Sequence, residues 1–461
     1  MEQWQLRAAF AGRLSRMYGR EVPAYTTLVD VSREVNEDVL GARGAAAERL
    51  GSIGRVTEER HGAIRVGTPG ELRQVGRIFG ALGMRPVGFY DLRDTAASAL
   101  PIVSTAFRPV DENELARNPF RVFTSLLTVS DPRFFDADLR ARLTTFLAGR
   151  ELFGPELLAL ADRAEAEREL PDEEAERFLG LAVAAFELSA EPIDRDWYAA
   201  LERVSAVAAD IGGVRSTHIN HLTPRVLDID ELYRRMTARG VEMIDTIQGP
   251  PRWTGPDVLL RQTSFRALAE PRALRAPDGS VTRGALRVRF GEVEARGIAL
   301  TREGRALHDR LLALVDERSA DRPADVRGDV ARAVWSEHLP PTEHELAARG
   351  LGFFTYHAVA DRPADGSRPP ADLDGLLAAG WLRAEPIVYE DFLPRSAAGI
   401  FQSNLSDTGA RHGDREGSAY DADRLSAVMD REVADPFTLY ERQRDRSLDR
   451  IPRALRPEGV S

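Results

Sequence analysis

Apolar positions change their period several times along the chain, and each change marks an element. At the start, Trp4, Leu6, Phe10 and Leu14 recur among charged residues at a spacing that predicts an amphipathic helix over 1–17. The helical period dominates again from 136 to about 210, in the stretches 136–148, 172–189 (carrying Phe178, Leu181, Val183 and Phe186) and 197–209. This arginine- and glutamate-laced block reads as a helical insertion between two segments of different character.

Those two segments are alike. The first opens on His61-Gly-Ala-Ile-Arg-Val, a short strand pattern, followed by a helix over 71–82 that ends near Gly83 and a strand over 86–90. Two further strands are expected over 102–107 and 120–127. The second opens on Ile219-Asn-His-Leu and continues with a helix over 229–238 ending near Gly240. Strands over 241–247, 258–265 and 286–294 complete it. Laying His61 on His221 places Glu71-Leu72 on Glu231-Leu232 and Gly80 on Gly240 without a gap, and Phe107-Arg108 falls two residues out of step with Phe265-Arg266. The order β-α-β-β-β thus recurs at 59–128 and 217–297, which favours an internal duplication.

The expected fold class is α+β: two βαβββ modules with a helical insertion and a C-terminal extension. The corresponding boundaries are 1–130 for N-terminal helices and the first module, 131–213 for the insertion, 214–300 for the second module and 301–461 for the extension. In the extension, a helix over 303–317 leads to a Pro/Asp/Arg-rich linker at 320–327, then strand-like stretches at 352–359 and 386–392. Residues 396–403 read as a loop with hydroxyls and backbone donors suited to a pocket wall or lid. Gly, Asp and Arg dominate 406–419, a surface loop, and the tail beyond 443 is expected to be weakly ordered.

Composition narrows the chemistry. The 461 residues include no cysteine and no lysine, so all 62 basic residues are arginine. Without lysine there is no Schiff-base chemistry and no P-loop nucleotide site. Without a thiol there is no cysteine nucleophile, iron–sulfur cluster or disulfide framework. The net charge of −11 argues against a nucleic-acid partner. No run reaches the roughly 18 apolar residues of a membrane span, and the N-terminus lacks the apolar core of a signal peptide, so a cytoplasmic location is expected. Arginine remains well suited to gripping carboxylates in bidentate fashion.

Among eight histidines, His61 and His221 head the two repeats. Phe290-Gly-Glu-Val-Glu294 puts Glu292 and Glu294 on one strand face. Two imidazoles and one such carboxylate, converging, form a triad that holds a divalent metal and leaves positions open for substrate and oxygen, with Fe(II) the leading candidate. Parity leaves Glu292 and Glu294 equivalent. His218, three residues before His221, falls on the opposite face of the strand and is expected behind the site. Arg65 lies on the face of His61, where it suits a substrate carboxylate or, equally, a structural salt bridge. Glu337-His338 and Glu343-His344-Glu345 match no metal-cage spacing, and His308, His357 and His412 lie in helical or loop patterns without an expected catalytic part.

Two such modules, with a metal ligand on the first strand and a carboxylate on the last, resemble the vicinal oxygen chelate superfamily, which implies an incomplete barrel around the metal. Phe290-Gly-Glu-Val-Glu-Ala-Arg296 resembles the last strand of 4-hydroxyphenylpyruvate dioxygenase, which favours Glu292. Longer blocks resemble the bacterial 2-oxoadipate dioxygenase/decarboxylase (hydroxyglutarate synthase) family: Glu59-Arg-His-Gly-Ala-Ile-Arg-Val-Gly-Thr68, Ser104-Thr-Ala-Phe-Arg-Pro109, Arg117 to Leu126, His218-Ile-Asn-His-Leu-Thr-Pro-Arg225, Leu260 to Phe265, Tyr389-Glu-Asp-Phe-Leu-Pro394 and Ser396 to Leu405. That resemblance implies His61, His221 and Glu292 as Fe(II) ligands, with Arg65, Arg395 and Ser396 binding substrate. It implies conversion of 2-oxoadipate and O2 to 2-hydroxyglutarate and CO2 in lysine catabolism. Arg395 stands where family members carry a small apolar residue, so an inward side chain there would alter substrate preference. The alternatives are an O2-independent metal-dependent isomerase or lyase of the same superfamily, and a non-catalytic protein that binds a small acid.

Overall fold

Two long helices, Gln3–Glu21 and Pro23–Arg43, begin the chain in the computed structural model, which describes residues 1–94, 99–287, 289–320, 322–323, 326–360, 368–405, 417–452 and 455. The first buries Leu6, Phe10, Leu14 and Met17 in one stripe, as their spacing of three and four dictates. The second, started by Pro23 at its first turn, buries Tyr25, Leu28, Val31 and Val35 at the same period and adds a helix that the sequence reading did not include.

The strands run in chain order as β1 (Arg60–Val66), β2 (Arg85–Asp91), β3 (Ile102–Arg108), β4 (Arg121–Leu127), β5 (Ile193–Asp194), β6 (His221–Pro224), β7 (Leu260–Phe265), β8 (Glu270–Arg275), β9 (Val281–Leu286), β10 (Gly291–Arg296), β11 (Phe354–Ala358) and β12 (Leu382–Pro386). The fold is α+β with open sheets. A five-stranded sheet has the order β2-β3-β4-β1-β6, with β1 parallel to β4 and antiparallel to β6. Its faces belong to different cores. Ile64, Val66, Val103, Phe107, Val122 and Leu126 pack toward the N-terminal helices. Ala63, Ala106, Phe123 and Leu127 face the other way, toward the C-terminal half. With both faces covered, β1 is buried at every position from His61 to Val66, its polar residues included, rather than at alternate ones.

The helix Pro69–Ala81 between β1 and β2 starts with a capping box: the Thr68 hydroxyl accepts from Glu71 N–H at 3.1 Å, and Glu71 returns a bond to Thr68 N–H. Glu71 also pairs with Arg150, whose guanidinium donates to the carbonyls of Ile211 and Val214 at 2.6 and 2.9 Å. This arginine ties the helical insertion to the loop that leads into β6.

The second segment departs from expectation in three places. Over 241–247 there is no ladder, only single bridges at Met243 and Gln248, because Glu242 and Asp245 turn outward onto Arg266. A hairpin of β8 and β9 intervenes before the last strand; its turn carries Asp278-Gly279, with Gly279 at φ +83°, a hairpin signal. Consequently the expected strand over 286–294 is the end of β9 followed by β10. The helix expected over 197–209 is two, Arg195–Glu202 and Ala206–Gly212, since the Ser205 side chain caps a new start by accepting from Ala208 N–H at 2.9 Å.

In the extension, residues 394–405 form a helix, Pro394–Leu405, where a loop was expected over 396–403; Pro394 occupies a position at which proline starts a helix. The tail beyond 443 is not loose through Asp449, because the helix Pro436–Asp449 buries Tyr440, Ser447 and Leu448. Most of 406–419 and His412 lie outside the described residues. Among the described residues no helix is long and apolar enough to cross a membrane.

Candidate metal centre

Pairing of β1 with β6 sets Ala63 opposite His221 and His61 opposite Thr223, so both histidines share one sheet face. A parallel bridge between Arg225 and Glu294 lays β10 beside β6, and there Val226 N–H donates to Glu294 C=O at 2.8 Å. Gly291 permits this last strand: a Cβ there would meet the Phe265 ring at 2.0 Å, across the β10–β7 ladder. Glu292 then projects between the histidines. One ligand atom from each of His61, His221 and Glu292 lies within 4.8 Å of the others, and all three residues are buried. Among the described residues no other group of three His, Asp or Glu side chains comes together in this way.

The two glutamates are not equivalent. Glu292 Oε2 is 3.5 Å from His61 Nε2, and its Oε1 is 3.5 Å from His221 Nδ1. Glu294 lies on the far side of the His61 ring, with Oε2 2.8 Å from Nδ1, a contact of charge rather than of well-aligned hydrogen-bond geometry. That carboxylate favours the tautomer with the hydrogen on Nδ1 and the Nε2 lone pair free. Burial works to lower the His61 pKa, but Glu294 and Glu292 outweigh it and the net shift is upward. His221 has no such support: burial pushes its pKa down to about 4. Among the described residues both of its ring nitrogens are buried without a hydrogen-bond partner. Leaving them so costs on the order of 1–3 kcal/mol each, unless a metal takes one of them. The donor set therefore fits a divalent metal.

Aromatic rings dry the centre. Phe392 meets the His61 ring edge-on at 5.0 Å, and Phe290 lies 5.4 Å from the His221 ring.

Behind Glu294 is a buried ion network absent from the sequence reading. Arg296 pairs with Glu294 at 2.7 Å, Arg121 bridges Glu59 and Glu390 at 2.6 Å each, and Arg225 reaches Glu59 at 2.9 Å. Burial alone would raise the Glu59 pKa; Arg225, Arg121, Arg55 and Arg296 hold it well below the usual carboxylate range. The signal was the alternation Glu292, Glu294, Arg296 on a strand flanked by apolar residues, where a charged face has no water to turn to.

Arg65 lies on the face of His61 but is engaged, with Nη1 2.5 Å from Asp210 Oδ2. Asp210 also accepts from Asn220 Nδ2 at 2.9 Å and lies 3.4 Å from His218 Nε2. His218 precedes the start of β6, so strand parity does not govern it; it sits beside Arg65's partner rather than on an opposite face. Ser396 is buried in the first turn of the helix Pro394–Leu405. That helix is moored near the centre by Asn404, which donates to Ser264 Oγ at 2.8 Å, and Ser264 is the cross-strand partner of Glu292. Arg395 points away: its exposed side chain pairs with Asp316 at 2.7 Å. Of the other histidines, His338 and His344 are half-buried to exposed and pair with single carboxylates, Glu337 and Asp374.

The family model for 2-oxoadipate dioxygenase/decarboxylase matches residues 10–404. The chain belongs to this family. The 2-oxoadipate dioxygenase/decarboxylase of Mycobacterium tuberculosis is 57% identical over 442 residues, 96% of this chain and 97% of its own. That of Pseudomonas putida is 39% identical over 461 residues, 98% of this chain and 97% of its own. The crystal structure of hydroxyglutarate synthase from Pseudomonas putida in complex with 2-oxoadipate matches at a TM-score of 0.84 and 38% identity, over 99% of both chains.

Proposed function

We propose that the protein is a non-haem Fe(II) dioxygenase/decarboxylase that converts 2-oxoadipate and O2 to 2-hydroxyglutarate and CO2, a step of lysine breakdown in the cytoplasm. The observation that carries this reading is the buried trio of His61, His221 and Glu292, with both nitrogens of His221 unpartnered among the described residues. It is supported by relatives and a 2-oxoadipate complex named for this chemistry.

His61, His221 and Glu292 would hold the metal. Fe(II) bound there supplies a chelation point for the 2-oxo acid and the electrons that activate oxygen. Every other task falls to the chain. Glu294 fixes the His61 ring so that Nε2 faces inward, and Arg121 and Arg296 keep Glu294 ionised and in place. Arg65 pairs with the distal carboxylate of the diacid, sharing its guanidinium between substrate and Asp210. Ser396 offers its hydroxyl and backbone N–H in the first helical turn, while Arg395 takes part only through its backbone. Phe392 and Phe290 exclude water from the reacting carbon.

An oxygen electrode tests the reading. Metal-loaded protein given 2-oxoadipate consumes oxygen and releases CO2 in equal amounts. An isomerase or lyase turns substrate over without oxygen, and an acid-binding protein binds without turnover.

A further inference from the structure

Among the described residues the other buried arginines are paired, as Arg108 is with Asp391 at 2.8 Å, Arg121 with Glu59 at 2.6 Å and Arg65 with Asp210 at 2.5 Å. Arg272 on β8 is the exception. Its exposure is 9%, and among the described residues its guanidinium makes no hydrogen bond or ion pair. The nearby carboxylates are already engaged. Glu270, on the same strand face, is held by Arg289 at 3.0 Å, and Asp210 is held by Arg65 and Asn220. A guanidinium that meets water only inside a cavity gains from an incoming counter-charge.

Arg272 lines a cavity of about 570 Å³. Tyr198, 4% exposed, lines it too, and among the described residues its hydroxyl has no partner. Apolar lining comes from Trp197, Ile193 and Leu286, and the register sets Ile193 and Leu286 on the same face of the β5-β8-β9 sheet as Arg272. Two donors without partners, set beside hydrocarbon, describe the complement of an organic acid.

We propose that this cavity binds a small aliphatic monocarboxylic acid, its carboxylate on Arg272 and Tyr198 and its chain along Trp197, Ile193 and Leu286. One charge is favoured over two. Among the described lining residues Arg272 is the buried arginine without an ion-pair partner, Asp210 forms part of the wall, and the exposed Arg215 and Arg275 are matched in number by the exposed Glu191 and Asp194. A phosphate dianion would leave a buried negative charge unmatched. The site is distinct from the metal centre, because Asp210 separates Arg272 from Arg65 and neither His61, His221 nor Glu292 lines the cavity.

Calorimetric titration of the metal-loaded protein tests this, with hexanoate and inorganic phosphate as separate probes. Hexanoate is expected to saturate one site, to bind at least about tenfold more weakly to Arg272→Gln, and more weakly to Tyr198→Phe. Arg65→Gln, which releases Asp210 toward Arg272, is expected to weaken its binding less than Arg272→Gln does, and phosphate to bind more weakly than hexanoate. In thermal melts without ligand, Arg272→Gln melts no lower than wild type, since it removes an unpaired buried charge. Absence of hexanoate binding, its loss in Arg65→Gln but not in Arg272→Gln, tighter binding of phosphate, or a lowered melt of Arg272→Gln would each overturn the proposal.

Discussion

The imidazole of His61 stands between two glutamates, and Glu294 is the one held from behind: its Oε2 is 2.8 Å from Nδ1, while Nε2 faces Glu292 at 3.5 Å. Both carboxylates come from one face of one strand, yet only Glu292 reaches both histidines. Glu294 is fully buried among arginines, which hold its pKa far below the usual range against the opposing pull of burial.

The two glutamates are therefore separable by mutation. Glu292→Gln removes a ligand and abolishes metal retention at modest cost in stability. Glu294→Gln leaves the ligand set complete, so metal affinity falls by about 10–100-fold. It also takes from Arg296 its nearest carboxylate, while Arg121 keeps Glu59 and Glu390, and the broken buried pair lowers the unfolding free energy by about 3–5 kcal/mol. Metal titration and urea unfolding of both variants check this; equal metal loss in the two would contradict it.

Arg65 and Arg395 should part in kinetics. Arg65→Gln deletes a charge-assisted pair to the substrate, worth about 1.5–3 kcal/mol, and raises KM for 2-oxoadipate by roughly 10–100-fold. Arg395→Ala loses only a solvent-exposed ion pair to Asp316, worth about 0–1 kcal/mol, and leaves KM within about twofold. A large KM effect in Arg395→Ala would place its side chain in the pocket.

Stability should fall in mild acid. Burial, only partly offset by Asp210, pushes the pKa of His218 from 6.5 down to about 4. As pH drops, the unfolded chain takes up this proton first. The stability carried by neutral His218 is complete above about 6.5 and drains away from there down through about 4. Between pH 7 and pH 5 the loss is on the order of 2 kcal/mol. Urea midpoints at the two pH values measure it in the metal-loaded protein, where the ligand histidines are held neutral. His218→Asn should flatten the dependence.

How far the sequence alone reached can be read from individual residues. His61 and His221 stood out because the repeat placed them at matching strand heads, and register rather than side-chain detail brings them together. Spacing alone left Glu292 and Glu294 equivalent because residues two apart share a face, and only the family resemblance favoured Glu292; in the structure their contacts with the two histidines separate them. Arg65 invited two readings from spacing, and the structure shows why: it is paired with Asp210, 145 residues distant in sequence. The network of Glu59, Arg121, Arg225 and Glu390 stayed hidden because its members come from four separate parts of the chain. The helix Pro394–Leu405 was missed because its small and polar residues carry little periodicity, and helix formation there depends on mooring to Ser264.

A dioxygenase/decarboxylase site inserts both atoms of molecular oxygen while it decarboxylates the substrate. Metal-loaded protein turning over 2-oxoadipate under ¹⁸O2 tests it most directly, with the product read by mass spectrometry. The expected product is 2-hydroxyglutarate carrying both labelled atoms, one in the new carboxylate and one in the hydroxyl, with unlabelled CO2. Unlabelled product, or turnover that continues under argon, would contradict it.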